Sequence, residues 1–341
     1  MIVSMDSKTV YSIYEDNFTS VFSPYILRFL EIKASAEYKL DNFLAVLRDF
    51  DRFISKSEIT SLYLPQSVLA AWKDQTTGRK ASTIYEKCCI MGQFCRYLIK
   101  LGIPCHMPVY PRKPKKLYVP YIFSKEEIEK IFFAADSLKA ENRLFTSAVF
   151  SIPVILRLLY STGMRIGEAL ALNNKDVDMP NGVIYIRHPK NKMERQLPII
   201  DSLHCVLRQY LENRGKLPLQ CVGLPDNPLF ISLNGSRIDN GAVFRWFLRI
   251  LQICGIPYMP GKGPRIHDLR HTFAVHALEW ASRDGADLYN TLPVISVALG
   301  HKCVTDTEHY VRITRQVYPD LTAMTSAISE HIFPTISTPR Q

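Results

Sequence analysis

The sequence predicts a mainly helical chain with one small β-sheet, divided into two domains. Three observations carry that expectation. Apolar residues recur at three- and four-residue intervals through most of the chain, the mark of amphipathic helices. The runs GVIYIR and RQLPII, on either side of a short polar turn, read as the two strands of a β-hairpin. Five prolines and four cations crowd the run GIPCHMPVYPRKPKKLYVP between Gly102 and Pro120, where regular structure cannot continue. At 341 residues the chain accommodates two domains of roughly 150 residues.

The first domain is expected over residues 1–106. YKLDNFLAVLRDFDRFI and STIYEKCCIMGQFCRYLIKLG both carry helical periodicity. In the second of these, Ile84, Cys88, Met91, Cys95 and Leu98 form one stripe that Gly102 stops. This half reads as a small helical bundle, and nothing in it looks catalytic. Residues 107–120 form a basic, proline-rich linker, and the second domain occupies 121–341. It opens with Ser124 and Glu127, a capping-box pair ahead of IEKIFFAAD. Helix then runs to Tyr160, turns at Ser161–Gly163 and resumes in MRIGEALALN. After the hairpin come helices in SLHCVLRQYLENRG, AVFRWFLRILQICG and IHDLRHTFAVHALEW. Shorter helices are expected around LPVISVALG and TDTEHYV, and in the tail.

Lys and Arg number 42 against 32 Asp and Glu, a net charge of +10 that favours a polyanionic partner without deciding for one. Its distribution says more. Residues 1–111 carry 13 basic and 11 acidic side chains, 112–116 add four cations, and 117–341 carry 25 against 21. The densest positive charge is therefore the linker quartet Arg112, Lys113, Lys115 and Lys116. It is either a solvated, semi-stiff spacer or a strap along a phosphate backbone, and the two are compatible. The eight cysteines lack metal-ligand spacing and read as reduced thiols of a cytosolic protein rather than a zinc site or disulfide frame. MIVSMDSKTVYSIYEDN has no secretory pattern. The most apolar stretch, Ser147 to Tyr160, is shorter than the roughly 20 residues a bilayer requires and holds Pro153 and Arg157. A cytoplasmic protein with no membrane partner is expected.

Four patterns in the second domain could carry chemistry. TGMRIGEAL sets Arg165 at a helix start after a glycine turn; alone, it could be a surface arginine paired with Glu168. HPKNKMER puts Lys190 and Lys192 at the hairpin tip, where exposed lysine is commonplace. IHDLRHTFAVHAL spaces His267 and Arg270 three apart, so both can face one anion, and arginine offers a planar fork matched to phosphate oxygens. His271 and His276 in the same stretch fit ordinary buried or capping histidines. LGHKCVTDTEHYV places His301 after a helix-ending glycine and Tyr310 nine residues later, one of 17 tyrosines that otherwise read as packing residues.

Taken together and in order, Arg165, Lys190, His267-x-x-Arg270, His301 and Tyr310 resemble the signature of the tyrosine recombinase, or phage integrase, family. The resemblance covers the second domain and implies a SAM-like helical core-binding domain upstream of an α+β catalytic domain. ALEWASRDGADLYNTLPVISVALGH looks like the recombinases of transposons and integrative elements, which points to a mobile-element enzyme. The activity implied is site-specific DNA strand cleavage and religation through a 3′-phosphotyrosyl bond to Tyr310. In it Arg165, Arg270 and His301 would hold the nonbridging oxygens, His267 would accept the phenol proton, and Lys190 would protonate the 5′ oxygen, with Lys192 its competitor. Lys192 and the linker cations would contact DNA, and Glu168 would orient the arginines. The implied partners are double-stranded DNA and three further copies of the chain, with the tail, carrying Leu321, Met324, Ile328 and Ile332, either packed in cis or exchanged between protomers. No phosphate-binding glycine loop and no Mg²⁺-type carboxylate cluster is visible in the sequence, so no cofactor or metal is expected. The competing readings are a type IB topoisomerase and a catalytically silent DNA-binding regulator.

Overall fold

The computed structural model describes residues 14, 17–57, 59–75, 78–114, 119–139, 148–187, 193–286 and 288–318. The chain divides into two compact units, Met1–Leu117 and Tyr118–Gln341. Both are built mainly of helix, and the second holds a three-stranded sheet. Among the described residues no helix is long and apolar enough to cross a membrane.

The first unit contains α1 (Ser23–Ser35), α2 (Asp41–Lys56), α3 (Gln66–Asp74) and α4 (Ala81–Lys100). Their apolar stripes meet in one aromatic-rich core, where the Phe50 and Trp72 rings stand edge to face at 5.7 Å. Of the stripe expected on α4, Cys88, Met91, Cys95 and Leu98 are buried and Ile84 is half-buried. Asp51 folds the entry of α1 back onto α2 by accepting the backbone N–H groups of Thr19 and Ser20. Lys87 is buried on α4, its ammonium paired with Asp49 and 4.1 Å above the Trp72 ring. The last residue of the expected first domain, His106, and the start of the expected linker also pack on this unit. His106 N–H donates to Leu64, and the Tyr110 hydroxyl fills the space over Gly92, where a Cβ would lie 1.8 Å from it. Arg112 and Lys113 are exposed.

The second unit begins with α5 (Lys125–Asp136), and the expected capping box is formed: Ser124 Oγ accepts from Glu127 N–H, and Glu127 from Ser124 N–H. After α6 (Ile152–Thr162) and the short α7 (Ile166–Ala171), the chain enters an antiparallel sheet of β1 (Val177–Asp178), β2 (Val183–Ile186) and β3 (Arg195–Pro198). The hairpin register pairs Ile184 with Leu197 and Ile186 with Arg195. The two-residue β1 was not legible in the sequence because alternation needs more residues than it has. Next come α8 (Asp201–Gly215), α9 (Asn240–Ile253), α10 (Asp268–Arg283), α11 (Leu288–Leu299) and α12 (Thr305–Val317).

α10 organises this unit. It packs against α6 on one side and α11 and α12 on the other. Ala274, Val275 and Leu278 join Leu292, Ile295 and Leu299 of α11 and Tyr310 and Val311 of α12 in one apolar cluster. Five of its polar side chains, Asp268, Arg270, Thr272, His276 and Glu279, are buried too. Thr272 Oγ1 bonds back to the Asp268 carbonyl and accepts the backbone N–H of Phe123, which fastens the segment before α5 to α10. A helix so buried on several faces has polar residues only where something answers them.

Candidate active site

Four chain segments converge at the N-terminal end of α10. The first is the bend between α6 and α7. Gly163 ends α6 at φ +63°, and a Cβ there would lie 2.3 Å from the Phe273 ring, so both backbone and space demand glycine. The carbonyl thus exposed accepts Arg270 Nη1 at 2.7 Å. Two residues on, Arg165 stands at the start of α7 with its side chain about one-third exposed. Glu168, on the first turn of α7, accepts Arg165 N–H and Arg165 Nη1, each at 2.9 Å.

The second segment is β3. Arg195 is on the inward face of the strand with Leu197, and its guanidinium meets the buried Glu168 carboxylate at 2.7 Å. Its Nε donates to the Ala298 carbonyl, and the group lies flat on Gly300, where a Cβ would come within 2.7 Å of Nη1. Glu168 therefore ties α7 to β3, and Arg195 ties β3 to the end of α11. Burial pushes Glu168 up, but bonds from Arg195 and from Arg165 outweigh it and hold the carboxyl below its ordinary range.

The third and fourth segments supply the reactive groups. His267 occupies the N-cap of α10, and Arg270, 2% exposed, lies one turn along. Arg270 Nη2 donates to the Leu299 carbonyl at 2.7 Å and to His301 Nε2 at 2.9 Å. Arginine has no acceptor, so His301 Nε2 is the acceptor and its Nδ1 carries the proton, donated to Thr307 Oγ1 at 2.8 Å. Thr307 and Tyr310 lie one turn apart on α12. Tyr310 is 1% exposed, and its hydroxyl bonds His271 Nδ1 at 2.7 Å. Its ring lies parallel to that of His301, with centroids 6.4 Å apart.

Positive charge dominates this cluster. Burial, then Arg270 and Arg165, lower His267 to about 4 and His301 likewise to about 4. Burial, then His267, His309 and Arg270, lower His271 to about 3. Burial pushes the Tyr310 phenol up to about 12 against the opposing pull of Arg270 and Arg165. Arg270 itself drops to about 10, from burial and then the charge of Arg165. The imidazoles and phenol are thus neutral at neutral pH, and the arginines carry the charge. Glu168 answers Arg165 and Arg195 directly, while Arg270 is satisfied by carbonyls and an imidazole. An entering anion would complete this arrangement.

The fold brings together Arg165, Glu168, His267, Arg270, His301 and Tyr310, all six expected from the sequence. Lys190 and Lys192, and the linker's Lys115 and Lys116, lie outside the described residues. Three participants were missed. His271, set aside as an ordinary buried histidine, holds the Tyr310 hydroxyl; its signal was its position four after His267, on the same helical face. Arg195 shares the inward face of β3 with the apolar Leu197, a register that buries it and requires a carboxylate. Thr307, which orients His301, had no sequence signal.

Residues 122–316 match the phage integrase family model. The chain is 28% identical over 298 residues to a putative integrase/recombinase of Sinorhizobium fredii, covering 86% of this chain and 93% of that one. It is 30% identical over 255 residues to the tyrosine recombinase XerC of Chlorobaculum parvum, covering 70% of each. In fold it resembles the XerH site-specific recombinase in a post-cleavage complex with its palindromic difH substrate, with a TM-score of 0.63 and 20% identity over 94% of this chain and 90% of that one.

Proposed function

The chain belongs to the phage integrase family and is a tyrosine recombinase, and from that premise we propose that it cleaves and rejoins DNA through a 3′-phosphotyrosyl bond to Tyr310. One observation carries this reading: Tyr310 lies among two arginines and three imidazoles that are distant in sequence and leave an excess of positive charge.

A phosphodiester repels nucleophiles because it is already anionic. Arg165, the more exposed arginine, would meet a nonbridging oxygen first. Arg270 would trade its bond to His301 for one to phosphate and share the charge that builds on phosphorus. Losing one such donor typically slows a reaction by about 10²–10³. His301 can donate only after taking a proton at Nε2, and phosphate at this site favours that by raising its pKa. His267, between the arginines and the end of α10, would contact the same oxygens with help from the helix dipole. Lys190 remains the proposed acid for the departing 5′ oxygen, on the resemblance of its hairpin place, with Lys192 the alternative. The covalent link conserves the energy of the broken bond, so religation requires no nucleotide.

Exchange between two duplexes breaks four strands, and each protomer has one Tyr310. Four copies on two duplexes would satisfy that count, with the tail after Tyr318 passed between neighbours to couple them. The mass of the complex on DNA, with and without residues 319–341, tests that assembly. A mobile-element role is supported by the long connection from Ala277 to His301 and by the S. fredii relative's designation as a putative integrase/recombinase. Attachment-like repeats beside the gene would bear it out.

A nicked suicide duplex tests the chemistry. The protein should form a covalent adduct on a site it binds, and Tyr310→Phe should abolish that adduct while leaving binding intact. Binding without an adduct would favour a silent regulator, and efficient relaxation of plasmid lacking a target site would favour a topoisomerase.

A further inference from the structure

Tyr310 has a partner to which the proposed chemistry gives no part. His271 comes directly after Arg270 on α10 and directs Nδ1 at the Tyr310 hydroxyl from 2.7 Å. His267, the acceptor expected from the sequence, turns its ring edge-on to His271, with centroids 4.9 Å apart at 86°. If Tyr310 is the nucleophile of a recombinase, its proton must leave as its oxygen attacks. From the contact between the two side chains, we infer that His271 Nδ1 takes that proton.

In the tautomer this step uses, the phenol donates, Nδ1 presents its lone pair and the imidazole proton sits on Nε2. Everything facing His271 keeps that lone pair free. His267 and Arg270 flank it on α10, Arg265 precedes the helix, and His309 approaches from α12 with ring centroids 6.4 Å away. None of these is acidic, and burial acts in the same direction; the Asp268 carboxylate, at the start of α10, acts on the phenol and raises it. Arg165 faces the phenol from α7. Protonation of the base therefore waits for an anion.

This explains how so weak a base can serve. With the phenol near 12 and the imidazole near 3, the proton stays on Tyr310 in the free protein. A phosphodiester seated between Arg165 and Arg270 cancels their repulsion of an imidazolium. As the new bond from Tyr310 Oη to phosphorus forms, the phenol becomes strongly acidic and its proton passes to Nδ1. The bond from phosphorus to the 5′ oxygen breaks, and that oxygen is protonated by the general acid. Religation runs in reverse, with His271 returning the proton to the departing phenolate. General-base assistance of this kind contributes about 10²–10⁴ in rate.

Single-turnover cleavage of the nicked duplex, measured from about pH 6 to about pH 9, tests the assignment. His271→Asn keeps a hydrogen-bonding group near Nδ1 that cannot take a proton, and His271→Phe keeps only the bulk. Both should cleave about 10²–10³-fold more slowly at neutral pH. Both should gain about tenfold per pH unit, as hydroxide replaces the base, where the unaltered protein is flat. His267→Gln should slow cleavage without acquiring that slope. A 5′-bridging phosphorothiolate, whose leaving group needs no proton, should rescue neither His271 variant. Melting and DNA binding identify a variant that fails to fold, and the other then decides. Cleavage by the folded His271 variants within about threefold of the unaltered protein would overturn the inference. So would rescue by the phosphorothiolate, which would mark His271 as an acid, or the pH slope appearing in His267→Gln instead. Absence of any adduct from the unaltered protein on bound DNA would instead sink the recombinase reading, and the base with it.

Discussion

Glu168 carries two guanidinium groups from different elements, and it is nearly inaccessible to water. Removing one partner of a buried ion pair leaves the other charged and unanswered, at about 3–5 kcal/mol, whereas removing both is far milder. Glu168→Leu should therefore lower the melting temperature more than Glu168→Leu combined with Arg195→Met, a comparison that calorimetry can make directly. If the double substitution proves the worse, Arg195 is held by its carbonyl and glycine contacts rather than by the carboxylate. The histidines give a second prediction. Burial and neighbouring cationic groups lower His267 and His271 from 6.5 to about 4 and about 3, so the unfolded chain binds protons there before the folded protein does. Their contribution to stability is complete above pH 6.5 and is lost as pH falls towards about 4 for His267 and about 3 for His271. Melting should decline across that window, and His267→Gln should decline less steeply. A parallel decline in the variant would mean that other groups control acid stability.

At the scale of elements, the site depends on how helices end. Gly163 closes α6, and Gly300 comes just after α11, both with φ +63° and both pressed by a side chain or a guanidinium. Gly285 has φ +81° but nothing within 4 Å of its missing Cβ, so it isolates the backbone term. An alanine in left-handed conformation costs about 1–2 kcal/mol. Gly285→Ala should cost about that much and spare cleavage. Gly163→Ala adds the collision with Phe273 and moves the carbonyl that holds Arg270, so it should cost distinctly more stability and reduce adduct formation. Equal losses in denaturant melts would show that Phe273 yields freely. α10 itself could be read as helical from its periodicity, as could the α5 capping box. Its three-sided burial could not, because the stripe it leaves towards solvent, Phe273, Ala277 and Trp280, is as apolar as the faces it buries and so does not mark its orientation.

For the whole molecule, the distribution of charge predicts how binding responds to salt. Each neutralised phosphate contributes about −0.9 to the log–log slope on duplex DNA. Arg112 and Lys113 are exposed, as a strap along DNA requires. Replacing Arg112, Lys113, Lys115 and Lys116 with glutamine should make the slope shallower by up to about 3–4, measured by titration at several salt concentrations. An unchanged slope would make this segment a spacer. His106 and Tyr110 pack on the first unit, so a strap on DNA would be drawn from the linker residues beyond Tyr110.

Periodicity and the ordered motif sufficed to read a mainly helical architecture with one hairpin, and to nominate six residues that the fold brings together. Those are local properties, or matches of residue type and order, and they survive without coordinates. Which imidazole meets the phenol was not among them. His267 and His271 are four residues apart and equally histidine, and only the approach of α12 to α10 puts Nδ1 of His271 against Tyr310. The same holds for Arg195, which finds Glu168 across 27 residues because β3 starts beside α7. Hydrogen bonds act over about 3 Å, a distance that sequence spacing cannot specify once the chain has turned.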